Sequence, residues 1–150
     1  MESMTVELFR DSVRNRGNVK LGLRVEDAAM RLLWRYGYNC IEKIYTGCVY
    51  KCRRWVPVKR VSGDFKAISK DGKHVHVEVK CRDGKLCWSD FKAHQIEALN
   101  DVSLAKGESL VIWARNRFDL LLLRWPIEGF GPGKSICWEM AQRFALVFDR

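Results

Sequence analysis

The chain has 150 residues, 47% of them hydrophobic, so it can bury a core as one domain and is not globally disordered. Its 27 lysines and arginines outnumber 18 acidic residues and give a net charge of +9, which favours an anionic partner, nucleic acid or an acidic membrane surface, over a merely basic soluble protein. No signal peptide and no apolar run of roughly 20 residues is present. We therefore expect a cytoplasmic protein without a membrane partner, from a prokaryotic cell or a virus-infected host cell.

The chain begins with a polar, basic segment. Residues 1–21 predict a basic N-terminal arm ahead of a single domain over residues 22–150. Apolar residues then recur at helical spacing over residues 22–36 and predict a helix with one packed face. A cationic stripe falls on another face of this helix and consists of Arg24, Arg31 and Arg35.

A predicted strand over residues 39–50 is followed by the basic segment KCRRWVPVKR. Arginine and lysine interleaved with an aromatic residue suit phosphate contacts combined with stacking on a base or sugar. A solvated loop that Trp55 anchors to the core would have the same composition. The candidates for DNA contacts along the whole chain are Arg24, Lys51, Arg53, Arg54, Lys59, Arg60, Ser62, Arg82 and Lys85.

Two alternating runs flank Asp71-Gly72 and predict a β-hairpin with strands over residues 64–70 and 74–81. In the second run, HVHVEVKC, valines alternate with polar residues. Successive side chains of a strand point to opposite faces, so Glu78 and Lys80 share one face. The hairpin also brings the strand of Asp64 alongside them.

This D-x13-E-x-K pattern has the residues that phosphodiester cleavage requires. Carboxylates are ligands that Mg²⁺ prefers, and a nearby ammonium can orient the attacking water or neutralise charge in the transition state. The pattern therefore predicts a Mg²⁺ nuclease site at Asp64, Glu78 and Lys80. His74 and His76 share the same face, so a transition-metal chelate of the form H-x-H-x-E stays open.

Further elements follow the hairpin. A helix is predicted between Ser89, as its N-cap, and Gly107, as its stop, and is followed by the strands SLVIWAR and FDLLLLRW with a turn at Asn116. GFGPGKS looks like a phosphate-binding loop, but Glu128 stands where the first glycine should be, so we expect a turn and no nucleotide cofactor. The six cysteines lack CxxC spacing, which favours plain thiols over a zinc site.

The order of these motifs over residues 22–125 resembles the PD-(D/E)xK nuclease superfamily, and within it the Holliday-junction resolvases of the archaeal and RecU-like types. RVEDAAMRLLWRYGYNC resembles their first helix, which carries a catalytic glutamate, and this resemblance places that role on Glu26. SGDF resembles the short motif that ends in the metal-binding aspartate, here Asp64, although Gly63 replaces the family's proline.

The second half of the resemblance covers the hairpin strand and the helix after it. VEVKCRDGKLCW resembles the family's E-x-K strand and the basic turn that follows, which gives Glu78 and Lys80. FKAHQIEAL resembles the next helix, where RecU-like enzymes also have His-Gln, and this places Gln95 near the site.

The resemblance implies an α/β (α+β) fold with a restriction-endonuclease-like core, an α-β-β-β-α-β mixed sheet flanked by helices. It implies a homodimeric, structure-selective endodeoxyribonuclease that resolves four-way DNA (Holliday) junctions by paired symmetric nicks through phosphodiester hydrolysis, in DNA recombination and repair. A C₂ dimer with one site per subunit would place two equivalent nicks symmetrically.

The implied cofactor is Mg²⁺, for which Mn²⁺ is expected to substitute. The implied metal ligands are Asp64, Glu78 and Glu26, and Lys80 and Gln95 complete the catalytic set. Two alternatives stay open at this point: a restriction- or repair-type endonuclease that acts on duplex or flapped DNA, and a non-catalytic basic DNA-binding module.

Overall fold

A computed structural model of the chain describes residues 25–44, 48–57, 63–115 and 119–149. In chain order the elements are helix α1 (residues 25–35), strands β1 (Asn39–Lys43), β2 (Cys48–Lys51), β3 (Arg54–Pro57), β4 (Phe65–Ile68), β5 (His74–Cys81) and β6 (Leu86–Cys87), a 3₁₀ turn (Trp88–Asp90), helix α2 (Ala93–Leu104), strands β7 (Glu108–Ala114), β8 (Leu120–Arg124) and β9 (Ser135–Ile136), helix α3 (Trp138–Phe144) and strand β10 (Val147–Asp149). The predicted arm over residues 1–21 lies outside the described residues, so the division into an arm and one domain stays a prediction.

A six-stranded mixed sheet organises the fold, with strand order β1-β4-β5-β7-β8-β10. Strands β5 and β7 are parallel, and the other neighbouring pairs are antiparallel. Parallel neighbours need a crossover, and α2 supplies it between these two strands. The predicted α/β architecture, a mixed sheet flanked by helices, is therefore confirmed. Within the described part of the chain, no helix is long and apolar enough to span a membrane.

Each face of the sheet is covered by its own apolar cluster. On one face, Leu32 and Leu33 of α1 pack with the valine side of β5. On the other face, Leu99 of α2 and Trp138 of α3 pack with Trp113 of β7. Strand β7 is covered on both faces, which explains why its sequence is an almost uninterrupted apolar run.

The hairpin of β4 and β5 is confirmed. Its register runs from Phe65 opposite Val77 to Ile68 opposite His74, and its turn contains Gly72 in the left-handed region at φ +79°. The Lys73 N–H donates to Ser69 Oγ at 3.0 Å and closes the turn. The open end of this hairpin is the end that carries Asp64.

The first strand differs from its prediction over residues 39–50. Its beginning, β1, joins the large sheet, whereas β2 pairs with β3 in a separate two-stranded ribbon. Cys52 and Arg53 form the two-residue turn of this ribbon, both with positive φ of 50° and 60°. A turn of this kind usually contains asparagine or glycine, so its residues gave no signal.

The predicted boundaries of α2 are also wrong. Ser89 lies in the 3₁₀ turn, and the helix begins at Ala93 with Lys92 as its N-cap. At the other end, the helix stops at Leu104, because Lys106 is left-handed at φ 64° and the Gly107 N–H turns back to the Val102 carbonyl at 2.9 Å.

The C-terminal segment, for which no elements were predicted, forms β9, α3 and β10. The GFGPGKS stretch contains turns and continues into β9 rather than into a helix, as expected of a turn and not of a phosphate-binding loop.

Gly107 provides a test of the packing between the end of α2 and the start of β5. A Cβ at this position would lie 2.9 Å from the His74 carbonyl oxygen and 2.7 Å from Val102 Cγ1. We expect Gly107→Ala to lower the free energy of unfolding by about 1–3 kcal/mol, because fixed backbone must shift. Urea unfolding measures this loss.

Gly84→Ala is the matched control, because a Cβ there has no heavy atom within 4 Å. It should change the free energy of unfolding by less than about 0.5 kcal/mol. Equal losses in the two variants would contradict the proposed packing constraint.

Candidate active site

At the open end of the β4–β5 ladder, the Asp64 side chain takes the place of a backbone carbonyl as hydrogen-bond acceptor. The Asp64 N–H donates to the Val77 carbonyl at 2.8 Å, and the Val79 N–H donates to Asp64 Oδ2 at 2.7 Å. The carboxylate is thereby fixed beside β5, on which Glu78 lies between these two residues. The hairpin and this side-chain bond together bring the first two predicted site residues next to each other.

Glu78 lies in a part of the sheet from which water is nearly excluded, since only 2% of its surface is exposed. Gln95 Nε2 donates to Glu78 Oε1 at 2.6 Å, and Lys80 Nζ is 3.2 Å from the same oxygen. The second oxygen, Oε2, is buried and receives no hydrogen bond of normal geometry from the residues that the structure describes. One half of the carboxylate is therefore satisfied by the protein and the other half is not.

Burial and the neighbouring Asp64 charge raise the pKa of Glu78 to about 7. Lys80 and the Gly63 N–H oppose this rise only in part. Burial also raises the pKa of Asp64, the Val79 N–H lowers it, and the charge of Glu26 raises it further. The two carboxylates are thus held together at an electrostatic cost that a cation would offset.

Gln95 connects the start of α2 to both charged residues of β5. Its Oε1 accepts from the Lys92 N–H at 2.9 Å and from Lys80 Nζ at 2.9 Å. Both partners can only donate, so the amide orientation is determined and Nε2 must face Glu78. The Lys80 ammonium also lies 4.9 Å from the centre of the Phe91 ring, a cation–π distance.

Glu26 of α1 approaches the same end of the sheet, but it contacts Lys43 rather than Lys80. It forms an ion pair with Lys43, the last residue of β1, which is opposite Phe65 in the sheet. Lys43 was not among the predicted site residues. Only the pairing of β1 with β4, which places Lys43 beside Asp64, would have identified it.

The donor set fits a hard divalent cation, although it is not closed around one. Among residues 25–44, 48–57, 63–115 and 119–149, no three His, Cys, Asp or Glu side chains are grouped closely enough to hold a metal ion. However, one buried Glu78 oxygen receives no hydrogen bond of normal geometry from the described residues, and the Asp64 carboxylate is its neighbour. Oxygen ligands of this kind suit Mg²⁺, which keeps several waters and needs few protein ligands.

His76 explains why glycine stands before Asp64. Gly63 is left-handed at φ +84°, a conformation that proline cannot adopt because its ring fixes φ near −65°. A Cβ at Gly63 would also lie 2.7 Å from His76 Nε2 and overlap the rest of the ring. Burial, with smaller contributions from His74 and Lys66, lowers the pKa of His76 and favours the neutral ring.

The predicted DNA-binding residues fall into three groups. Lys51, Arg53 and Arg54 are exposed on the β2–β3 ribbon, and Lys85 is exposed after β5. Arg82 is half exposed but forms an ion pair with Asp90. The remaining candidates, Arg24, Lys59, Arg60 and Ser62, lie outside the described residues.

The structure is similar to the 1.6 Å resolution structure of Archaeoglobus fulgidus Hjc, a Holliday junction resolvase from an archaeal hyperthermophile. The TM-score is 0.54 at 17% sequence identity, and the match covers 81% of this chain and 92% of that one. No protein-family model and no curated protein matches the sequence. The resemblance predicted from the motifs is confirmed at the level of the fold.

The raised pKa of Glu78 predicts how the stability of the metal-free protein depends on pH. The folded protein retains a proton that the unfolded chain releases near pH 4.5, so the free energy of unfolding falls as pH rises from 4.5 to about 7. Glu78→Gln removes this loss and should be more stable than wild type at pH 8, by about 2–3 kcal/mol, with little difference at pH 4.

Urea unfolding in EDTA across this pH range measures the effect. Glu97→Gln, an exposed carboxylate on α2, is the matched control and should follow the wild-type curve. A Glu78→Gln effect of the same size at every pH would contradict the assignment.

The contact between Gly63 and His76 predicts unequal effects of two glycine substitutions. Gly63 and Gly72 have similar φ of +84° and +79°, but nothing lies within 4 Å of a Cβ at Gly72. Gly72→Ala should lose roughly 1–2 kcal/mol from left-handed strain alone, and Gly63→Ala should lose clearly more. Unfolding measurements in a His76→Ala background should bring the two losses together.

Proposed function

We propose that this protein is a metal-dependent endodeoxyribonuclease that resolves four-way DNA junctions by paired symmetric nicks. The observation that carries the proposal is the pair of adjacent carboxylates, Asp64 and Glu78, with the Lys80 ammonium 3.2 Å from one Glu78 oxygen. This arrangement occurs on a fold similar to that of a Holliday junction resolvase.

Asp64 and Glu78 would hold Mg²⁺ or Mn²⁺, which supplies polarisation of the scissile phosphate and activation of water when bound. Glu26 would join them as the third ligand by leaving its ion pair with Lys43. Gln95 and Lys80 both contact Glu78 Oε1, so Oε2 remains for the cation. In this role the cation would be the partner of Oε2.

Lys80 is the residue that acts on the attacking water or on the charge that develops at phosphorus. Its ammonium is positioned by the Gln95 amide oxygen and by the face of the Phe91 ring. Gln95 is therefore a positioning residue for both members of the E-x-K pair.

The exposed basic residues support a substrate that is recognised by shape. Lys51, Arg53, Arg54 and Lys85 can contact phosphates without reading bases, and a net charge of +9 favours such contacts. Paired nicks in a junction with two-fold symmetry would follow from a homodimer with one site in each subunit.

The alternatives differ in what they leave unexplained. An endonuclease for duplex or flapped DNA would use the same site, because a fold does not determine a substrate. A non-catalytic DNA-binding module gives no reason for a buried carboxylate whose pKa is near 7 and whose Oε2 receives no normal hydrogen bond from the described residues.

Substitutions at the proposed site should separate cleavage from binding. We expect Asp64→Asn, Glu78→Gln and Lys80→Ala each to slow nicking of a labelled fixed junction in Mg²⁺ by about 10²–10⁴-fold. Metal-free gel-shift affinity for the same junction should change by no more than about threefold, because the basic residues remain.

Asp71→Asn is the matched control, since Asp71 is an exposed carboxylate in the turn at the opposite end of the hairpin. It should cleave at the wild-type rate. Wild-type-like nicking by Asp64→Asn would remove the proposed chemistry.

The substrate is tested by comparing cleavage of the four-way junction with cleavage of its separate linear arms. Preference for the junction supports resolution, and equal rates would assign the alternative endonuclease. Salt-sensitive binding without nicking in either Mg²⁺ or Mn²⁺ would leave only the non-catalytic module.

A further inference from the structure

A groove of about 370 Å³ lies between α1 and β1, outside the residues assigned to the nuclease site. Its lining consists of Met30, Arg31, Trp34, Asn39, Cys40 and Ile41. This volume lies within the range of roughly 300–1,000 Å³ that is usual for ligand sites. Met30 and Ile41 also pack against the core, whereas the proposed chemistry uses none of the six lining residues.

Trp34 is the most exposed of the tryptophans whose side chains the structure describes, with 73% of its surface accessible. Trp113, Trp125 and Trp138 are all at most 5% exposed. The neighbouring Leu32 and Leu33 of α1 fill the core, whereas the indole of Trp34 remains at the edge of the groove. Such an aromatic face can stack on a base that is not already stacked in a duplex.

Arg31 supplies a positive charge beside this aromatic face. It is exposed, lies three residues before Trp34 on the same side of α1 and lines the same groove. Proteins that bind single-stranded nucleic acid combine an aromatic ring that stacks on a base with a positive charge that contacts the adjacent phosphate. The charge of the groove therefore selects an anionic occupant.

The β1 wall of the groove is irregular in a way that adds polar groups. Asn39 is opposite Ile68 and Glu42 is opposite Lys66, so the register shifts by one residue between them. Cys40, within this bulge, is left-handed at φ 50°. A bulge leaves a residue out of the ladder, and its backbone groups can then bond to a ligand.

The groove belongs to the same two elements that bring Glu26 and Lys43 to the nuclease site. Trp34 follows Glu26 by eight positions in α1, which is about 12 Å along the helix axis at about 1.5 Å per residue. A strand whose phosphate lies at the nuclease site could therefore reach Trp34 within a few nucleotides.

We propose that this groove binds a short single-stranded segment of the DNA substrate, with one base stacked on Trp34 and the adjacent phosphate on Arg31. The inference deepens the proposed function and rests on it for the identity of the substrate. The branched DNA would then have an unpaired region next to the cut.

The test measures fluorescence anisotropy of a labelled dT₁₂ oligonucleotide and of a matched 12-base-pair duplex, with the full chain in EDTA so that no cleavage occurs. Trp34→Ala should weaken dT₁₂ binding about tenfold and duplex binding less than twofold. Trp34→Phe should recover most of the loss, and Arg31→Ala should weaken dT₁₂ binding and reduce its salt dependence. Leu104→Ala, an exposed apolar residue on α2, is the matched control and should bind dT₁₂ as wild type does.

Unchanged dT₁₂ affinity in Trp34→Ala, or an equal loss for the duplex, would overturn the inference. So would a wild-type dimer that Trp34→Ala converts to a monomer in sedimentation, since a second copy of the chain would then occupy the groove. The two proposals fail separately. If the protein cleaves the junction but dT₁₂ binding does not depend on Trp34, only this inference is removed. If dT₁₂ binding depends on Trp34 but the junction is not cleaved, only the proposed nuclease activity is removed.

Discussion

A buried carboxylate beside a second carboxylate is the constraint on which the rest of the structure depends. Glu78 is 2% exposed and next to Asp64, an arrangement that an ordinary sheet would avoid. The chain keeps it by satisfying Oε1 twice, through Gln95 and Lys80, while Oε2 receives no normal hydrogen bond. The β4–β5 hairpin, the crossover helix and the basic residue of β5 all converge on this one group.

The parts of the fold that follow from local chemistry were predictable, and those that depend on long-range pairing were not. Valine alternation and Asp71-Gly72 predict the hairpin, because turn type and the two-residue period act over a few residues. The β2–β3 ribbon turns at Cys52-Arg53, residues without a turn preference, and was missed. Lys43 came beside Glu26 only through the register of β1, which the sequence does not encode locally.

The glycine before Asp64 departs from the motif that the chain otherwise resembles, and a second residue compensates for it. Gly63 is left-handed, so the backbone before Asp64 has a conformation that the family's proline would not allow. The buried ring of His76 occupies the space that any side chain at residue 63 would need. The packing of the His76 ring over Gly63 could be recognised only once the backbone conformation was known.

The double role of Gln95 couples the E-x-K pair to the folding of α2. Its Oε1 closes the first turn of α2 through the Lys92 N–H, and the same oxygen holds the Lys80 ammonium. Helix ends are the first parts of a helix to open. Fraying of this turn would release both Lys80 and Glu78 from the amide that they share. The geometry of the E-x-K pair therefore depends on a helix end that lies 15 residues further along the chain.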